Sequence, residues 1–391
     1  MLTKPNLRDH PNAPPPPVGR YWYDGALARS CAAVVAVSLC LAFPALAQPD
    51  PSGIEFITVR APGNVGYSGP DINNIVTGRG AVSYEYRLGK TEVTTGQWLE
   101  FYNLFYLRVP HVNMPVRWGA FDRGVGQTPR FALGGAPDSA LFPVSGPTWR
   151  TAAMFCNWLH NDKRTDIDAV MNGAYDVSTF GYTGPQGNVF TDQRAHNPDA
   201  RYWIPTLDEW LKGAYYDPNY GGQNVGGWWW NGVNGSNTPL VYGPPGFGQA
   251  NAAFDFGDDS HFRIPLGAYP GTVSPWGMLD AAGATSELLE SVLQQGVGAP
   301  YRFLAGSHWG NWAGGEAIYN VGGEFPSIPD LNYGFRIAAA VPSSGPVMAM
   351  MLWSATLLLR RRRAPGDSDE ALLEACCSGS GCRDGGCGPG G

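Results

Sequence analysis

The stretch YRFLAGSHWGNWAGG, residues 301–315, gathers the residue types of a ligand site. Glycines let a backbone come close to a bound group, tryptophans supply flat faces, and the side chains between them are polar. Ser307, His308, Trp309, Asn311 and Trp312 are therefore the candidate cleft residues. Nucleophilic catalysis is not expected from them. Ser307 and His308 are sequence neighbours whose side chains diverge, and the chain has no G-x-S-x-G motif. His111, His160, His196, His261 and His308 are scattered, without H-x-x-x-H or H-x-E spacing.

A hard cation has better prospects. Asn251, Asp255, Asp258 and Asp259 place an amide and three carboxylates among glycines, the oxygen-rich donor set that calcium takes. A solvated acidic loop would read the same way. Cys156 is the only one of seven cysteines between residues 54 and 340, so that region closes no internal disulfide. It sits among apolar residues at helical spacing and reads as a small buried hydrophobe rather than a thiol nucleophile. Cys376, Cys377, Cys382 and Cys387 follow no standard zinc spacing.

Three helices would position these residues. In TEVTTGQWLEFYNLFY, Thr94 and Gln97 form a capping box ahead of an apolar face of Trp98, Phe101, Tyr102 and Phe105. In PTWRTAAMFCNWLHND, Thr148 caps a face of Trp149, Ala152, Ala153, Cys156 and Leu159. In RYWIPTLDEWLKGAYYDP, Thr206 and Glu209 make a second capping box, Trp210 and Ala214 face the core, and Asp217-Pro218 ends the helix. Glu209 is thus a cap rather than an acid catalyst. Strands are expected at 55–59, 84–89, 301–306 and 333–340, separated by long loops rich in Gly, Pro and Asn.

Composition agrees. The 391 residues include 53 Gly, 34 Pro and 14 Trp, and only 15% are charged. Loops pinned by buried aromatics are the expected result. Between 54 and 340, 25 acids outnumber 17 bases, so no basic stripe is available to neutralise nucleic-acid phosphates.

The ends read as addresses. Residues 1–47 form a leader with Arg29, an apolar run and Ala45-Leu46-Ala47, a signal-peptide pattern cut before Gln48. Residues 341–363 carry an apolar run, Val347–Leu359, ahead of Arg360–Arg363, and 364–391 form a Cys/Gly-rich tail. The Val-Pro, apolar run and Arg cluster resemble the PEP-CTERM bacterial sorting signal. That resemblance implies export, a membrane-linked C-terminal segment at the cell envelope and a sorting protease as partner.

YEYRLGKTEVTTGQWLEFYN, FPVSGPTWRTAAMFCNWLHN, RYWIPTLDEWLKGAYYDP, SPWGMLDAAGATSELLES, FLAGSHWG and YGFRIA follow one another over residues 54–340. In this order they resemble the formylglycine-generating enzyme (sulfatase-modifying factor) family. The resemblance implies a single α+β domain of irregular, C-type-lectin-like fold with little regular secondary structure. Family enzymes oxidise a sulfatase cysteine with copper held by two cysteines that follow a Gly-Gly-Ser, and they bind structural calcium. Here Ala305-Gly306-Ser307 is followed by no cysteine before Cys376. Soft copper(I) prefers thiolates, so copper is not expected. Glu287 matches the Glu of the family's calcium loop and joins Asn251, Asp258 and Asp259 as a candidate ligand. Two readings result. One is an exported, non-catalytic module binding a peptide or glycan, for which Trp228–Trp230, Trp309 and Trp312 would supply stacking surfaces. The other is an oxidase of the same type using iron or copper on non-cysteine ligands.

Overall fold

Strand β1 (Phe56–Val59) opens the chain's regular structure and pairs antiparallel with β2 (Tyr86–Gly89). A computed structural model describes residues 49–342 apart from 232, 253, 255–258 and 295–297. The expected leader (1–47), residues 343–363 of the expected sorting segment, the tail, Asp255 and Asp258 lie outside the described residues. No helix among the described residues is long and apolar enough to cross a membrane.

The three expected helices form where their caps place them. Helix α1 (Thr95–Phe105) has both halves of its capping box, and Trp98, Phe101, Tyr102 and Phe105 are its buried large side chains. Helix α2 (Trp149–His160) starts on the Thr148 hydroxyl, which accepts from the Thr151 amide. It is buried all round, Arg150, Thr151 and Asn157 included, so the one-faced pattern read from sequence understates its burial. A short turn, α3 (Asp168–Met171), packs against it. Helix α4 (Leu207–Tyr215) starts on the Thr206/Glu209 box and runs into the two-residue strand β8 (Tyr216–Asp217). Glu209 also accepts from Trp203 Nε1 and from Tyr84 Oη, so the cap doubles as a buried anchor.

Aromatic side chains bind α1 to α2. Trp98 stacks on Phe155 with ring centroids 5.5 Å apart and meets Phe335 edge-on at 5.7 Å. Phe101 meets Trp158 at 5.7 Å. Each large side chain removed from water contributes about 1.5–3 kcal/mol, with a further ~1 kcal/mol for favourable ring geometry. One continuous core results, reaching both main sheets.

Those sheets have four strands each. The first runs β1-β2-β14-β7, with β7 at Tyr202–Trp203 and β14 at Ala338–Ala339. The second runs β12-β11-β10-β13, built from β10 (Ser286–Leu293), β11 (Tyr301–Ala305), β12 (Gly322–Glu324) and β13 (Tyr333–Gly334). Three small hairpins, β3/β4 (Ala120–Asp122, Phe131–Leu133), β5/β6 (Tyr182–Thr183, Val189–Phe190) and β8/β9 (β9, Gly227–Trp228), complete an irregular α+β domain.

The expected strand at 333–340 is split in two. Tyr333–Gly334 pairs with β10 and Ala338–Ala339 with β2 and β7, so Phe335-Arg336-Ile337 crosses from one sheet to the other inside the core. Arg336 explains the crossing. Its guanidinium is fully buried and donates to both oxygens of Glu287 at 2.6 Å, to the carbonyls of Gly89 (2.9 Å) and Lys90 (3.3 Å), and to Leu279 O (3.1 Å). One side chain thereby links β2, the segment after it, the loop before β10, and β10 itself.

Candidate functional site

Strand β11 delivers the chain into the 306–315 segment, and Gly306 turns it at φ +78. A Cβ at Gly306 would stand 3.1 Å from the Trp210 ring and from Ala281 O, so glycine is required by close approach as well as by backbone angle. From here the segment is stitched to residues 283–286. Ser307 is fully buried, and its Oγ accepts from the Gly283 amide at 3.0 Å. Ser286 Oγ donates to Gly306 O, and the Trp309 amide donates to Ala284 O. Trp309 is buried too, with Nε1 donating to Asn332 Oδ1 (3.0 Å) and its ring edge-on to Phe262 at 4.4 Å.

Asn311 organises the turn that follows. Its Oδ1 accepts from the His308 amide at 2.7 Å, while its own amide donates back to His308 O. The Gly310 amide donates to His308 Nδ1 at 3.0 Å. Nδ1 is therefore an acceptor, and the ring proton sits on Nε2. Burial holds the His308 pKa below the usual imidazole value, against the opposing pull of Asp330. The Gly314 amide donates to Tyr242 Oη, whose own proton goes to Glu316 Oε2 at 2.6 Å.

Of the five candidate cleft residues, Ser307, Trp309 and Asn311 are thus scaffold, His308 is half-buried, and Trp312 is 69% exposed. The Trp228–Trp230 run joins no shared platform with Trp309 and Trp312. Trp228 packs between Tyr67 and Tyr216 with Nε1 on Val65 O. Trp229 donates to Asp217 and meets Tyr220 at 4.6 Å, while Trp230 lies against Tyr319.

The family model described as "Sulfatase-modifying factor enzyme 1-like domain" matches residues 49–341. The chain belongs to this family. Among solved structures, CarF is 18% identical with a TM-score of 0.45, over 74% of this chain and 100% of that one. Treponema denticola variable protein 1 is 15% identical with a TM-score of 0.43, over 73% and 95%. PvdO from Pseudomonas aeruginosa is 13% identical with a TM-score of 0.40, over 74% and 95%. No curated protein matches the chain.

In this sulfatase-modifying-factor-like domain, the residues after Ser307 do not fit a thiolate-held copper. They offer one imidazole, two indoles, an amide and four glycines or alanines, with no sulfur. Cys156 keeps different company. It is buried in the middle of α2, near Tyr175 and Glu290, and burial together with the Glu290 charge pushes its thiol pKa well above the ordinary value. A thiol held protonated in this way is neither nucleophile nor ligand. Among the described residues, no three His, Cys, Asp or Glu side chains come together as a metal's ligands would need.

Glu287, the candidate calcium ligand by family position, has both of its oxygens engaged by Arg336 on the buried sheet. The Asn251 amide is engaged as well: Oδ1 accepts from Ala284 N at 2.9 Å and Nδ2 donates to His261 O at 3.2 Å. Asn251 therefore ties its loop to the 283–284 turn that holds Ser307. A Cβ on Gly283 would fall 2.1 Å from Asn251 Oδ1, and Gly283 sits at φ +81.

Two further buried acids escaped the sequence reading. Glu92 accepts from the Thr285 amide, and burial plus the neighbouring Glu287 charge raise its pKa well above the carboxylate range. Glu290 Oε2 accepts from Tyr175 Oη, the His196 amide and His196 Nδ1, each at 2.8 Å. His196 stacks on Trp203 with ring centroids 4.5 Å apart. No motif marks these residues, because their partners lie on elements far apart in sequence.

Proposed function

We propose that this domain is a non-catalytic binding module of the sulfatase-modifying-factor fold. In this reading it is exported, tethered at the envelope by its C-terminal segment, and takes a peptide or glycan at the 308–315 loop. One observation carries the proposal: the loop expected to hold copper thiolates is hydrogen-bonded at Ser307, His308, Gly310, Asn311 and Gly314 without any sulfur, and it presents Trp312 to solvent. The backbone machinery for shaping a surface is intact while the redox ligands are missing. Exposed tryptophan on a rigid loop is suited to recognition, since it brings a large stacking area at little entropic cost. The leader pattern at 1–47 and the apolar run ahead of Arg360–Arg363 support export and tethering.

Peptide and glycan arrays probed with purified protein test the reading. The expected result is a restricted set of ligands whose signal falls at least about tenfold in Trp312→Ala, while the melting temperature stays unchanged. Ligands bound equally well by Trp312→Ala would contradict it, and so would blank arrays.

A further inference from the structure

A cleft lies at the N-terminal end of α2. It encloses about 270 Å³ and is lined by His111, Val112, Asn113, Thr148, Arg150 and Ser327. That is room for one small residue-sized group. In a chain with a formal net charge of −7, this cleft has no acidic side chain in its lining. It contains one guanidinium, one imidazole and two hydroxyls.

Arg150 is nearly fully buried, yet one edge of it is uncommitted. Nε and Nη2 donate to the two oxygens of Asp192 at 2.6 and 2.8 Å, and Nη2 also donates to Gly181 O at 2.8 Å. Nη1 has no hydrogen-bond acceptor among the described residues, although both of its N–H groups are donors. The guanidinium is fixed in place by stacking over Tyr182 at 4.8 Å and Phe180 at 5.6 Å. His111 meets Phe180 edge-on, at 5.9 Å, and its ring nitrogens likewise have no partner among the described residues. Burial and the nearby Arg150 charge hold the His111 pKa below its usual value, so at neutral pH the ring offers one N–H without a charge. Ser327 Oγ, also in the lining, shares a hydrogen bond with Oη of Tyr182, the ring that packs on Arg150.

We infer that this cleft is a carboxylate-binding site, with Arg150 Nη1 and the His111 ring N–H as donors and Ser327 at its rim. An oxyanion is what unpaired donors around a fixed guanidinium recognise. A single negative charge fits better than two, because Asp192 already balances most of the Arg150 charge. The positive end of α2 supplies only about half a unit more. The donors are too few to cradle a tetrahedral dianion, whereas a planar carboxylate needs two.

The test uses the full chain with 13C-labelled histidine, titrated with sodium acetate or sodium sulfate at constant ionic strength, with calorimetry alongside. Acetate should shift the His111 ring signals saturably and bind at least about fivefold more tightly than sulfate. Binding should weaken by about tenfold or more in His111→Gly, which the φ of +72 at that position accommodates. An Arg150→Gln/Asp192→Asn pair, which replaces the ion pair by a neutral hydrogen-bonded one, should abolish binding while circular dichroism reports an intact fold. No saturable shift, tighter binding of sulfate than acetate, or undiminished binding in His111→Gly would each overturn the assignment. If the double variant fails to fold, His111→Gly and the acetate-to-sulfate order decide alone.

Discussion

Replacing Arg336 by methionine tests how the two sheets are held together. The change keeps most of the side-chain volume but removes every donor that Arg336 supplies to Glu287, Gly89, Lys90 and Leu279. Glu287 would be left fully buried with no counter-charge, next to Glu92. Breaking a buried pair by removing one partner costs about 3–5 kcal/mol. Lys90 O keeps the Leu279 amide at 2.7 Å, so part of the stripped backbone remains satisfied, and the lower half of that range is the better expectation. Against a total of about 5–15 kcal/mol, such a loss is a large fraction of stability. For a domain of this size it lowers the melting temperature by roughly 6–16 °C. Urea unfolding and differential scanning calorimetry measure it. The companion variant Arg336→Met/Glu287→Leu removes both charges and should recover most of the loss, to within about 1 kcal/mol of the wild type. A cost below about 1 kcal/mol for Arg336→Met alone would refute the claim that this pair locks the sheets.

Other outcomes follow from the same contacts. For His196, burial disfavours the charge, but the hydrogen bond and charge of Glu290 outweigh it and the pKa is raised. A group with a raised folded pKa stabilises fully below its unfolded value of about 6.5 and loses that contribution as pH rises through the folded value. The stability gap between wild type and His196→Asn, followed by urea unfolding from pH 5 to 9, should therefore be widest at the acid end. A gap independent of pH would contradict the ion pair. Gly283→Ala introduces a side chain at φ +81 against Asn251 Oδ1 and should cost at least about 2 kcal/mol, read from the urea midpoint. An unchanged midpoint would mean that the Asn251–Gly283–Ser307 stitch is unimportant.

The parts of the fold legible in the sequence were those with local causes. Thr94 with Gln97, Thr148, and Thr206 with Glu209 each announce a helix within one turn of its start, and the structure begins all three helices there. Strand β10 was not legible. Its sequence, SELLESVL, is rich in helix formers, and nothing local demands an extended chain. Tertiary partners decide it: Glu287 faces Arg336 and Glu290 faces Tyr175 and His196. A bulge separates the two acids. Leu288 to Val292 spans four steps on β10 while Leu304 to Arg302 spans two on β11. The site was legible in type but not in orientation. Ser307, Trp309 and Trp312 read alike as cleft residues, yet the 283–286 contacts turn the first two inward and leave Trp312 outside. Such long-range contacts have no signature within a short window of sequence.

The proposed function rests on one point, that without thiolates after Ser307 this member of the family would not carry out copper-dependent cysteine oxidation. Purified protein incubated with copper, oxygen and a sulfatase-motif cysteine peptide tests it most directly, with mass spectrometry of the peptide as readout. The cysteine should be recovered unchanged, with no aldehyde formed. Turnover of the peptide to the formylglycine aldehyde, proportional to protein concentration, would contradict it.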